Sequence, residues 1–132
     1  MIRLVDSSVA LKWYAPEPQS DVATALLGGN LIAPDLILAE VANALWRKVK
    51  LGEIVEDQAA SALPHLRDYV DLVQSAPFAE EALQVALDLG HPVYDCLFLT
   101  VAQKIGAELV TADKRLVTRC RGTRFEQQVR LL

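Results

Sequence analysis

Four carboxylates stand where the surrounding sequence should repel a charge. Asp6 ends the short apolar run Ile2-Arg3-Leu4-Val5, and Asp113 follows Leu109-Val110-Thr111 in the same way. Glu40 lies inside Leu36-Ile37-Leu38-Ala39-Glu40-Val41-Ala42-Asn43-Ala44-Leu45-Trp46, with Asn43, Ala44 and Arg47 as its neighbours at helical spacing. Asp95 begins the apolar stretch from Tyr94 to Ala102. A carboxylate in such surroundings needs a partner or a cation, because an unpaired buried charge is costly. Each also has an ordinary structural reading. Asp6 and Asp113 suit helix N-caps, Asp95 suits the first turn of a helix, and Glu40 suits a bond to Asn43 or an outside ion pair. Taken together they say more, since clustered carboxylates raise one another's pKa unless a cation neutralises them. Oxygen ligands with no Cys or His expected nearby suit Mg²⁺, with Mn²⁺ as a substitute, rather than zinc. Cations held in this way serve phosphodiester hydrolysis: they acidify a water, offset charge on the leaving oxygen and bridge to an anionic substrate. His65 and His91 lack a carboxylate–histidine–nucleophile context, so a triad is not expected.

The elements that must position these residues follow from apolar periodicity and its breaks. Ile2 to Val5 reads as a strand, with a helix starting at Asp6-Ser7-Ser8. A helix over about 21–27 is closed by Gly28-Gly29-Asn30, and Leu31 to Ala33 is a second strand. Helices follow over Leu36 to Lys50 and Glu56 to Tyr69, the latter kinked or split by Pro64. Val70 to Gln74 is a third strand, and Pro77 opens a helix over Phe78 to Leu89. After the break at Gly90-His91-Pro92, Val93 to Ile105 reads as a buried helix stopped at Gly106. Glu108 to Thr111 and Val129 to Leu132 complete the strands. Strands alternating with helices predict an α/β fold with a mainly parallel sheet. In such sheets the carboxyl ends of the strands form the ligand crevice, and Asp6 and Asp113 both sit there.

Composition bounds the answer. The 132 residues predict a single domain over 1–132, and 52% hydrophobic content excludes a disordered or low-complexity chain. The longest uncharged run, Val22 to Pro34, is broken by Gly28-Gly29-Asn30 and falls short of the roughly 18 apolar residues of a membrane span. Asp6 interrupts the start too early for a signal peptide, and Cys96 and Cys120 form neither a zinc pattern nor a disulfide framework. A cytoplasmic protein is expected. The net charge of −4 divides unevenly: from Lys104 onward seven basic residues face three acidic ones, leaving +4 there and −8 before it. The acidic total argues weakly against an unaided nucleic-acid binder, while the basic end leaves room for one. Arg47 and Lys48 after Trp46, and Lys114 and Arg115 after Asp113, are the candidate phosphate contacts. Arg47 and Lys48 equally suit a helix C-terminus, with Trp46 in the core or at a dimer contact.

The same segments resemble the PIN-domain ribonucleases, and within them the VapC toxins of type II toxin–antitoxin systems. Leu4-Val5-Asp6-Ser7-Ser8-Val9 is similar to the family's opening strand and first metal-binding aspartate, and Leu38-Ala39-Glu40-Val41-Ala42-Asn43 to its helix-borne glutamate. Val93-Tyr94-Asp95-Cys96-Leu97-Phe98 resembles the third acidic motif, and Leu109-Val110-Thr111-Ala112-Asp113-Lys114-Arg115 the fourth. Cys96 stands where a small residue such as alanine is usual, and Lys114-Arg115 supplies no fifth carboxylate. The resemblance implies a three-layer α/β/α sandwich around a twisted, mainly parallel sheet. It implies a Mg²⁺-dependent endoribonuclease toxin, held inactive by a VapB antitoxin and built as a homodimer. Asp6 and Asp95 would be direct metal ligands, with Glu40 and Asp113 completing the site directly or through water. Ser7, Thr111 and Asn43 are candidates to fix those carboxylates by hydrogen bonds. Two alternatives stand beside this reading: a PIN-like protein that binds RNA or a partner without cutting, and a PIN nuclease of RNA processing rather than a toxin.

Overall fold

The computed structural model describes residues 1–132. β1 (Ile2–Val5) leads into α1 (Ser7–Tyr14) and α2 (Ser20–Thr24), and β2 (Asn30–Pro34) into α3 (Leu36–Lys50) and α4 (Glu56–Tyr69). β3 (Val70–Val73) passes through a 3₁₀ turn at Ala76–Phe78 into α5 (Ala79–Leu89) and α6 (Val93–Ile105). β4 (Glu108–Thr111), α7 (Lys114–Cys120) and β5 (Val129–Leu131) follow. The five strands form one sheet in the order β3-β2-β1-β4-β5, and every pairing is parallel. Helices flank the sheet as a three-layer α/β/α sandwich. α1 packs with α2, α3 and α4, while α5 packs on α6 and α6 lies across β2, β1 and β4.

Parallel strands covered on both faces need apolar side chains in succession, and β1 and β4 supply them with Leu4-Val5 and Leu109-Val110, all fully buried. α6 explains its own composition: Cys96 to Ala102 are all buried, as a central helix requires. Full burial of each of Leu4, Phe98, Leu99 and Leu109 stabilises the fold by about 1.5–3 kcal/mol. Gly106 ends α6 in the left-handed conformation (φ 67°), which lets the chain turn directly into β4. No single helix is long and apolar enough to cross a membrane.

Most expected elements lie where the periodicity puts them, and α3, α6 and β4 match residue for residue. Pro64 does not split α4, which runs unbroken from Glu56 to Tyr69. Pro64 is exposed while Ala62 and Leu66 are buried, so the missing backbone bond falls on the solvent side of the helix. α2 ends at Thr24 rather than near Leu27, because Leu26 and Leu27 donate to Ala23 and Thr24 in tighter three-residue turns. α7, with no counterpart in the periodicity, is a short helix that owes its start to the Asp113 cap.

The topology places the site. The strand order reverses direction on either side of β1, so the crevice opens between the carboxyl ends of β1 and β4. Val5 pairs with Val110 across this gap, which brings the next residues, Asp6 and Thr111, side by side.

Candidate active site

Asp6 sits at the floor of the crevice, only 4% exposed. As the N-cap of α1 it accepts the Val9 N–H at Oδ1 (3.2 Å), so its capping role is real. It does more than cap. The Ser8 hydroxyl donates to Oδ1 and the Thr111 hydroxyl to Oδ2, each at 2.5 Å. Those hydroxyls are themselves fixed: Ser8 Oγ accepts the Ala112 N–H at 2.9 Å, and Thr111 Oγ1 accepts the Asp113 N–H at 3.0 Å. The ends of β1 and β4 are thereby tied together through one carboxylate. Burial nevertheless pushes Asp6 up to about 6, against the pull of Ser8, Thr111 and Val9, with the charge of Asp95 adding to the rise.

Glu40 reaches the same region from α3. Its carboxyl is pushed up to about 7, first by burial, then by the negative charges of Asp95 and Asp6, with the Ser7 hydroxyl acting in the opposite sense. Its Oε1 is buried and has no hydrogen-bond partner. Asn43, one turn along, is exposed, and Glu40 Oε1 takes no hydrogen bond from it.

Asp95 connects the cluster. Its charge acts on both Asp6 and Glu40, and it also belongs to a second group with His91 and Asp113, whose ligand atoms all lie within 4.8 Å of one another. Asp113 caps α7 through Oδ1, accepting from the N–H groups of Arg115 (2.9 Å) and Leu116 (3.4 Å). His91 Nε2 lies 2.7 Å from Asp95 Oδ2, and the residue is 8% exposed. The expectation of no histidine near the carboxylates is therefore wrong. The signal was the helical spacing His91-x-x-x-Asp95, masked because Gly90-His91-Pro92 reads only as a break between helices. Ser8 is the other residue the sequence did not single out; it follows Asp6 by two, the spacing of a local hydroxyl–carboxylate bond.

The basic candidates divide. Lys48 is held by Glu17 (3.2 Å) and Glu53 (3.0 Å) in a structural ion-pair group. Arg47, Lys114 and Arg115 are exposed, and the last two line a depression on α7 with Thr118 and Arg119. Trp46 is not in the core: it is 58% exposed, with Lys50 Nζ 5.2 Å from its ring centroid. Both cysteines are buried thiols, and burial pushes Cys96 up to about 12 and Cys120 to about 11, which leaves them unreactive.

A divalent cation fits this donor set. The acceptors are carboxylate oxygens, one of them buried without a partner, and the repulsion that raises Asp6 and Glu40 is what a cation would relieve. Comparison with known proteins agrees. The PIN domain family profile matches residues 3–121. Ribonuclease VapC3 of Pyrobaculum aerophilum is 34% identical over 118 residues, covering 86% of this chain and 90% of that protein. Among solved structures, PAE2754 of Pyrobaculum aerophilum superposes with a TM-score of 0.75 at 25% identity, over 93% of this chain and 87% of that one. A toxin–antitoxin complex from Klebsiella pneumoniae shares the fold with a TM-score of 0.68 at 16% identity, over 97% and 95% of the two chains. The chain belongs to the PIN-domain family, on its VapC branch.

Proposed function

We propose that this protein is a metal-dependent endoribonuclease of the VapC type, with Asp6, Glu40, Asp95 and Asp113 holding Mg²⁺, or Mn²⁺ in its place. The observation that carries the reading is Glu40: a buried oxygen without a partner, beside two like charges, has no structural use and an evident one as a cation ligand. When bound, the cation supplies Lewis acidity toward the phosphate and a water, and offsets charge developing on the departing oxygen.

The chain's own residues supply position. Ser8, Thr111 and the Val9 N–H hold Asp6 in one orientation, and the N–H groups of α7 do the same for Asp113. Arg47, Lys114, Arg115 and Arg119 offer charge to RNA phosphates flanking the site, the last three from the depression beside Asp113. Lys48 would join them only by giving up Glu17 and Glu53. Membership of the VapC branch supports a VapB-type antitoxin as partner, a homodimer as the basic unit and action on RNA in the cytoplasm.

The test is incubation of the purified protein with total cellular RNA, with Mg²⁺, with Mn²⁺ and with chelator. Discrete fragments are expected only with metal, and Asp95→Asn should yield none. RNA and cation binding without cleavage would replace this reading with the non-cutting PIN-like protein. Cleavage without growth arrest on expression, and with no small partner co-purifying, would favour an RNA-processing nuclease.

A further inference from the structure

We propose that His91 is a positioning residue of the metal site: its Nε2–H holds Oδ2 of Asp95 and leaves the other oxygen of Asp95 for the cation. This rests on the proposed function, but it concerns a side chain that a site built from the four carboxylates does not include.

The backbone at His91 is fixed on both sides. Its N–H donates to Ala86 O at 3.2 Å at the end of α5, and its carbonyl accepts the Cys96 thiol at 3.7 Å within α6. Gly90 precedes it in the left-handed conformation (φ 63°), and Pro92 follows as the N-cap of α6. The backbone that carries the imidazole is thus fixed at the corner between two helices. Its side chain is 5% exposed against 28% for Asp95, so a buried arm reaches a half-open carboxylate.

Proton accounting decides what the arm does. A metal-binding Asp95 is a carboxylate, which only accepts hydrogen bonds, so in the proposed site the donor across the 2.7 Å contact is Nε2–H. Nε2 then has no lone pair for a metal. At Nε2 the group of His91, Asp95 and Asp113 therefore offers an N–H to Asp95 rather than a nitrogen ligand, and the carboxylate oxygens remain its hard donors for a cation. Hydrogen bonds to ligating carboxylates fix ligand orientation, and losing one typically weakens metal binding about 10–100-fold.

Two measurements test this without any RNA. Long-range ¹H–¹⁵N correlation of the histidine rings should show His91 protonated at Nε2 in both the cation-free and the Mg²⁺-saturated protein. Calorimetric Mg²⁺ titration should show His91→Phe weakened about 10–100-fold, and His91→Gln, which keeps an N–H at similar reach, within about threefold of the parent protein. In an Asp95→Asn background His91→Phe should cause no further loss. An Nε2 that loses its proton when Mg²⁺ binds would overturn the proposal in favour of direct ligation. Equal Mg²⁺ affinity in the parent protein and in His91→Phe would overturn it in favour of packing alone. Absence of any Mg²⁺ binding by the parent protein would instead overturn the proposed function itself.

Discussion

A carboxylate buried beside others of its kind is tolerated only while something offsets its charge. Without a cation, Asp6 and Glu40 hold protons more tightly than in the unfolded chain, being raised to about 6 and about 7. A raised carboxyl pKa costs stability above its unfolded value. The cost is absent below about pH 4, grows as pH rises through the folded values and is complete above about pH 7. For Asp6 the full cost is about 3 kcal/mol. Mg²⁺ competes with these protons, so scanning calorimetry against chelator should show little Mg²⁺-induced rise in Tm at about pH 5 and several degrees at about pH 8. An equal rise at both would mean the carboxyls are not at the cation. Glu40→Gln separates function from structure by sign. It should raise the Tm of the cation-free protein at about pH 8 by removing the repelled charge, yet weaken Mg²⁺ binding at least about tenfold. A variant that is both less stable and normal in Mg²⁺ affinity would show that Glu40 serves the fold.

The elements meet at the Ser8–Asp6–Thr111 tie, and that tie makes the ends of β1 and β4 a single rigid platform. Thr111→Val keeps the shape but strands the Asp113 N–H and removes a donor from Asp6. Chemical denaturation should show a loss of about 1–3 kcal/mol, accompanied by weaker Mg²⁺ binding. Unchanged stability would mean that water replaces the hydroxyl at no cost. How far the sequence reveals such features depends on their range. α3, α6 and β4 are legible because long apolar periods, with Gly106 as a stop, fix them locally. Asp6 and Asp113 are legible as strand-end carboxylates for the same reason. The role of Ser8 is less so: choosing between Ser7 and Ser8 as the Asp6 donor requires the exact helix start, and Ser7 turns out to act on Glu40. His91 escaped because its meaning depends on the corner between α5 and α6, which composition alone presents as a turn. The exposure of Trp46 and the capture of Lys48 by Glu17 are tertiary outcomes that no local pattern encodes.

The whole molecule sets an acidic body against a basic end, and α7 brings part of that basic end next to the carboxylates. Lys114→Glu with Arg115→Glu should weaken RNA binding and reduce its salt dependence by a log–log slope of about 1–2, with Mg²⁺ affinity little changed. Filter binding across a salt series checks this; an unchanged slope would place the RNA elsewhere on the surface. If the four carboxylates act through a divalent cation, the protein cuts RNA internally. A circularised RNA carrying the site mapped in total RNA tests it most directly, because a circle offers no end to an exonuclease. A single linear product is expected with Mg²⁺, and intact circles with chelator or with Asp95→Asn. Circles that survive the parent protein with Mg²⁺, or that Asp95→Asn opens equally well, would contradict it.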